Sequence, residues 1–202
     1  MARKAEKAAL RKSLRDQLAA LSQADLAAAS HAACRRLCRT DDFAAARTVM
    51  LFLSLPGEID TALALDHAFA AGKTVAVPSV HWDRLTMDAV LLPAREAPLE
   101  TGRYGLRTPT APQPVLLEQI DLVVIPGLAF DRTGHRLGRG AGFYDAFLAQ
   151  PHLQATRCGL GLHLQLLPQL PVGPKDVPLH LLVTDKTVLY FQKNREKHRD
   201  PC

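Results

Sequence analysis

The sequence has no apolar run long enough to span a bilayer. Its longest, Thr48 to Leu55 and Leu122 to Pro126, fall far short of the roughly 20 residues a spanning helix needs. Aromatic residues are scarce, with one tryptophan and three tyrosines, which argues against a base-stacking platform for nucleic acid. The four cysteines, Cys34, Cys38, Cys158 and Cys202, form no CxxC pair and show no zinc or redox spacing, so a reducing compartment fits best. The first 21 residues include Glu6 and Asp16 and lack the apolar h-region and small-residue cleavage site of a secretory signal. The cytoplasm is therefore the expected location, with a mitochondrial transit segment left open. No repeat and no low-complexity linker divides the chain, and the eight histidines show no metal-ligand spacing.

What is present suits one globular domain over residues 1–202, since 48% of the residues are hydrophobic and nothing is biased enough to preclude a core. The net charge of +5 gathers at the two ends, in Arg3 to Arg15 and in Lys193 to Arg199. A phosphate-bearing small ligand accounts for this excess as well as a nucleic acid would. The basic run within residues 192–202 reads as a solvated tail.

Leu10, Leu14, Leu18 and Leu21 fall on one helical stripe, bordered by Lys4, Lys7, Arg11 and Arg15. Ser22 and Asp25 mark the start of a second, alanine-rich helix reaching about Leu37. Thr48 to Leu55 is a strand buried on both faces; Asp60 or Thr61 can cap the helix that follows, which Gly72 closes, and Thr74 to Val80 is the next strand. Such a strand-helix-strand unit implies parallel pairing with a right-handed crossover. Leu85 to Leu92 reads as a further strand, and Pro93 to Pro114 as a long surface excursion. Leu122 to Ile125 is a short apolar strand, Gly142 to Gln150 is helical, and Thr156 to Gly161, Leu179 to Thr184 and Thr187 to Phe191 supply the last strands. The expected class is α/β, a three-layer α/β/α sandwich with a mainly parallel central sheet, whose ligands sit beyond the carboxyl ends of the strands.

Asp121 to Leu148 reads as strand, glycine-rich turn and helix, an arrangement that aims backbone N–H groups at an anion. Gly138, Gly140 and Gly142 let the backbone approach a ligand closely, Arg136 and Arg139 can neutralise phosphate, and Asp145 is placed to hold a divalent cation. Neither common phosphate fingerprint is present: Phe143 breaks GxGxxG, and no Lys-Ser or Lys-Thr follows as in a P-loop.

Read whole, the string Pro126-Gly127-Leu128-Ala129-Phe130-Asp131-Arg132-Thr133-Gly134-His135-Arg136-Leu137-Gly138-Arg139-Gly140-Ala141-Gly142-Phe143-Tyr144-Asp145 resembles the signature of the 5-formyltetrahydrofolate cyclo-ligase family, also called methenyltetrahydrofolate synthetase. Lys7 to Ser22 resembles that family's basic N-terminal helix, Phe52 to Thr61 its first strand and folate-side turn, and Arg103-Tyr104-Gly105-Leu106 gives a weaker echo. The resemblance implies a three-layer sandwich and an ATP- and Mg²⁺-dependent ligase that converts 5-formyltetrahydrofolate to 5,10-methenyltetrahydrofolate with release of ADP and phosphate. It implies that Lys7 and Arg11 bind ATP phosphates, that Arg136, Leu137, Gly138, Arg139, Gly140, Ala141, Gly142, Phe143 and Tyr144 form the nucleotide loop, and that Asp145 coordinates Mg²⁺. Leu55, Glu58 and Asp60 would line the folate pocket, sharing Arg139 to Phe143 with the nucleotide, while Lys7, Arg11 and Arg139 stabilise charge. The second metal ligand stays open, because the resemblance places His180 where relatives carry an acid, with Asp185 nearby. Without the resemblance, Lys7 and Arg11 read as a solvated helix edge, Glu58 as a turn acid and Asp60 as a helix cap. A monomer is expected, and the competing reading is a non-catalytic binder of nucleotide, folate or RNA. Replacing Arg139 or Asp145 is expected to cripple turnover and spare the fold.

Overall fold

Leucines at i, i+4 and i+8 give the first helix its buried stripe, and the rest of the fold follows the hydrophobic pattern in similar ways. The computed structural model describes residues 2–191; the basic run Lys193 to Arg199 and Cys202 lie outside them. Helix α1 (Ala2–Ala19) buries Leu14 against Leu128, Leu137 and Leu170. Helix α2 (Gln23–Cys38) begins where Ser22 Oγ accepts a hydrogen bond from the Asp25 amide, the cap expected from the sequence. A short helix, α3 (Asp41–Ala45), was not expected and is capped by Thr40 through the Phe43 amide.

Strand β1 (Thr48–Met50) is shorter than its apolar run. Beyond the Leu51 amide, which still donates to Ala76, the chain leaves the ladder and becomes one wall of a cleft. Helix α4 (Ala62–Ala70) is capped by Asp60, whose Oδ1 accepts from the Ala62 amide, and is followed by Gly72 at φ +67°. Strand β2 (Thr74–His81) pairs parallel to β1, and β3 (Thr86–Leu91) returns antiparallel beside β2. The excursion is not structureless: β4 (Leu99–Thr101) and β5 (Arg107–Pro109) form a hairpin with a single 3₁₀ turn, Arg103–Gly105, at its tip.

Strand β6 (Leu122–Ile125) is followed by a second unexpected hairpin, β7 (Ala129–Asp131) and β8 (Arg136–Leu137). Helix α5 (Phe143–Leu148), β9 (Thr156–Leu160), β10 (Leu166–Leu167), β11 (Leu181–Val183) and β12 (Val188–Tyr190) complete the described chain. The main sheet runs β12-β11-β9-β6-β1-β2-β3. Its four inner pairings are parallel and its two edge pairings antiparallel, so the mainly parallel sheet expected from the sequence is present. Alternation along the strands divides the core. Val49, Leu122, Val124 and Cys158 face α2 and α4, whereas Met50, Val123, Ile125 and Leu182 face Phe147 and Leu148 of α5. Each fully buried aliphatic side chain contributes roughly 1.5–3 kcal/mol, and two such layers explain why both faces of the sheet are covered.

Beneath the cleft lies Phe130, fully buried. Three glycines make room for its ring, one after β6, one within β9 and one just beyond it: an added Cβ at Gly127, Gly159 or Gly161 would stand 2.8, 2.9 or 2.5 Å from a ring atom. No side chain larger than hydrogen fits there without displacement.

Candidate functional site

The site forms where the parallel strands end. After β1, the turn carrying Gly57, Glu58 and Ile59 borders the cleft; after β6, Pro126 to Leu128 form its floor; Leu160, the last residue of β9, closes one side. The cleft is a shallow hollow whose lining includes Glu58, Arg139 and Leu18 of α1. Gln165, buried at the back, donates to the carbonyls of Gly127 and Leu128 and accepts from the Leu162 amide, so one side chain ties the two strand-end turns together. The sequence did not single it out, because an amide's partners depend on folding rather than spacing.

The glycine-rich loop leaves β8 and enters α5 directly beside α1. Arg11 Nε donates to the Gly138 carbonyl at 2.9 Å, and the Arg11 guanidinium lies against Gly140, whose φ of +117° suits glycine alone. Arg15 reaches the Arg139 carbonyl at 3.5 Å. Lys7, one turn earlier on the same helix edge, forms an ion pair of 2.5 Å with Asp176. Lys7 and Arg11 are thus half-buried against the loop and Asp176, whereas Lys4 and Arg15 stay exposed. Asp176 escaped the sequence reading because it lies in a Gly-Pro turn 169 residues away along the chain.

Arg139 points across the opening. Its Nε and Nη2 both lie 2.7 Å from Glu58 Oε1, while Glu58 Oε2 accepts from the Leu55 amide. Leu55 and Glu58 are therefore held by the loop that carries Arg139. Phe143 and Tyr144 begin α5, Ala141 and Gly142 are exposed at the loop tip, and Leu137 has its side chain in the core under α1. Asp60 faces α2 and α4: its amide donates to Ser30 and its carbonyl accepts from Cys34.

Arg136 and Asp145 form a partly buried pair at 2.9 Å, with the arginine side chain only 3% exposed. Asp145 Oδ1 also accepts from the Val177 amide. Arg136 Nε is buried without a hydrogen-bond partner among the described residues, and its guanidinium lies 5.8 Å from the Tyr144 ring centre. An orphaned donor here points to an acceptor from a ligand or water. His180 Nδ1 accepts from the Arg157 amide, and Asp185 from the His163 amide. Among the described residues no three His, Cys, Asp or Glu side chains gather as a metal site. Asp145 with substrate phosphates and water nevertheless fits Mg²⁺, which is commonly held by one or two carboxylates and the phosphates themselves.

Three of the eleven aromatics, Trp82, Tyr104 and Phe143, meet beside the glycine-rich loop. Trp82, from the β2–β3 turn, packs 4.9 Å edge-on to Phe143 and 5.0 Å from Tyr104, with the Arg103 guanidinium 5.2 Å above it. Their scarcity in the composition concealed this grouping.

Burial raises the Asp176 carboxyl, but the hydrogen bonds from Lys7 and the Gly173 amide, with the charges of Lys7 and Arg136, outweigh it and hold the group below its ordinary value. A lowered carboxylate pKa gives stability that is complete above the unfolded value, about 3.9, and is lost as pH falls through the folded one. Between these values the wild type should therefore lose stability more steeply than Asp176→Asn. Urea unfolding at a series of pH values checks this; parallel pH curves would show that the pair contributes nothing.

Residues 3–185 match the model of the 5-formyltetrahydrofolate cyclo-ligase family. A curated relative from Escherichia coli K12, named 5-formyltetrahydrofolate cyclo-ligase, is 35% identical over 146 residues, covering 71% of this chain and 80% of its own. The mouse protein of the same name is 28% identical over 181 residues, covering 85% and 89%. Among solved structures, the Aquifex aeolicus 5,10-methenyltetrahydrofolate synthetase superposes with a TM-score of 0.81 at 27% identity, covering 96% of this chain and 97% of that one.

Proposed function

The chain belongs to the 5-formyltetrahydrofolate cyclo-ligase family and is a cyclo-ligase, and on that premise we propose that it phosphorylates the formyl oxygen of 5-formyltetrahydrofolate with ATP and closes the ring. The formyl oxygen is a poor leaving group. Transfer of the γ-phosphoryl from ATP to that oxygen releases ADP; nitrogen 10 then attacks the formyl carbon, and the oxygen departs as phosphate, giving 5,10-methenyltetrahydrofolate. Phosphoryl transfer asks the protein mainly to position partners and stabilise charge.

The observation that carries this reading is Arg139 on Glu58, a single bridge between the glycine-rich loop and the turn after β1. It supports a nucleotide on the α1 side and a folate on the Leu55 side, with one guanidinium reaching both. Lys7 and Arg11 would meet the phosphates, and the buried Arg136 would offer its unused Nε. Glu58 would accept N–H groups of the reduced pteridine. Asp145 and the phosphates would hold Mg²⁺, which would supply charge neutralisation when bound.

With Mg-ATP and 5-formyltetrahydrofolate, purified protein is expected to generate the near-ultraviolet absorbance of the methenyl product, and ADP in equal amount. Omitting either substrate should abolish both signals. Folded protein that binds nucleotide or RNA but forms no methenyl product would overturn the proposal.

A further inference from the structure

Pairing between β6 and β9 stops at Ile125 and Gly159. Past that point no backbone hydrogen bond among the described residues joins 126–128 to 160–162, although both stretches contribute to the cleft. One side chain spans the gap. The Gln165 amide nitrogen donates to the Gly127 carbonyl at 2.8 Å and the Leu128 carbonyl at 3.2 Å, and the amide oxygen accepts from the Leu162 N–H at 2.7 Å.

The fold makes room for this amide and holds its backbone separately. Gln165 is 5% exposed, and a Cβ on Gly161 would stand 2.9 Å from its Oε1, so the turn accepts the group because residue 161 has no side chain. The Gln165 N–H donates to the Leu162 carbonyl, and the next two residues, Leu166 and Leu167, pair with Phe130 and Asp131. The residue is thus placed by its backbone, which leaves the three side-chain bonds to place what they touch.

The two sides of the site depend on those bonds unequally. The glycine-rich loop has supports of its own: the Leu137 carbonyl accepts from Leu128 at 2.7 Å, β8 pairs with β7, and Arg11 holds the Gly138 carbonyl. The Gly127 carbonyl, in the floor itself, takes its hydrogen bond from Gln165. Glu58 and Leu160 border the same floor.

Resting on the folate reading above, we infer that Gln165 is a positioning residue for ring closure: its amide fixes the floor on which the reduced pteridine lies against Glu58. A carboxamide offers two donors and an acceptor in one plane, which neither an apolar side chain of the same length nor a carboxylate supplies. Misplacing a bound substrate by about 1 Å can cost on the order of 100-fold in rate, even when the altered residue is remote from the reacting atoms.

Two variants test the assignment. Gln165→Met keeps the length and removes all three bonds. Per folded molecule, its kcat/KM for 5-formyltetrahydrofolate should fall by about 10- to 100-fold, with the folate KM rising and the KM for ATP moving less than about threefold. Gln165→Glu keeps the shape as well. A neutral buried carboxyl can still donate to one floor carbonyl and accept from Leu162, whereas the ionised form turns only acceptors towards the Gly127 and Leu128 oxygens. Its kcat/KM relative to wild type should therefore be highest near about pH 5.5 and fall as the pH rises to about 8, with the folded fraction followed by circular dichroism at each pH. Glu58 and Arg139, which line the same cleft, and His163 and Asp185, beside Leu162, are common to both proteins, so the ratio cancels them. A residue that only stabilised the fold would lower the folded fraction and leave that ratio flat. Gln165→Glu also decides the matter where Gln165→Met fails to fold. Gln165→Met activity within about threefold of wild type, equal rises in both KM values, or a Gln165→Glu ratio that does not change with pH would each overturn the inference while leaving ring closure standing. Folded wild type that forms no methenyl product would refute the ring-closing reading itself, and this inference with it.

Discussion

Arg139→Ala is expected to lower kcat/KM for ring closure by about 100- to 1,000-fold, the usual cost of losing one positioned charge stabiliser. The loss should divide between kcat and the KM of both substrates, because the same guanidinium is carried by the glycine-rich loop and holds Glu58 at 2.7 Å. Its side chain is 45% exposed, so the pair adds at most about 1 kcal/mol to stability and the variant should remain folded. Lysine should recover little, since one ammonium does not reproduce a two-nitrogen contact. Steady-state kinetics with each substrate varied in turn would check this; activity within threefold of wild type would remove Arg139 from the mechanism.

For Asp145→Ala the expected loss is structural as well as catalytic, about 3–5 kcal/mol. Arg136 cannot shed its proton, its side chain is 3% exposed, and its Nε already lacks a partner; removing Asp145 leaves that buried charge without its ion-pair partner. In a domain of this size the melting temperature should drop by roughly 6–20 °C. Asp145→Asn, which keeps an acceptor, should lose less, and joining Asp145→Ala to Arg136→Met should recover much of the stability without the activity. Thermal unfolding of the three variants decides the matter, and an unchanged midpoint for Asp145→Ala would refute it. From the sequence alone, Asp145 was expected to be dispensable to the fold. The ion pair alters that expectation.

That revision shows where sequence reading stops. Strands buried on both faces announce themselves as apolar runs, and Ser22 and Gly72 mark helix ends through local geometry, so the layers and the parallel sheet were legible. The β7–β8 hairpin was not, because strands of two or three residues are too short to show a period. The site divides in the same way. The glycine alternation and the basic helix edge are local patterns, whereas the partners of Lys7 and Arg139 lie 169 and 81 residues away. Trp82 belongs to the site only because the β2–β3 turn lands beside α5.

Phe130 couples its own position to three glycines. A methyl group at Gly127, Gly159 or Gly161 meets its ring inside van der Waals contact, but at Gly159 it also meets Leu179 at 2.7 Å and at Gly161 the Gln165 amide oxygen at 2.9 Å, so a smaller residue at position 130 should relieve alanine most at Gly127. Substitutions that are each damaging alone should become tolerable in pairs, a departure from additivity that is expected of side chains in direct contact. The floor of the cleft is therefore coupled through one ring, and reshaping it for a different ligand would be expected to need changes at Phe130 and Gly127 together.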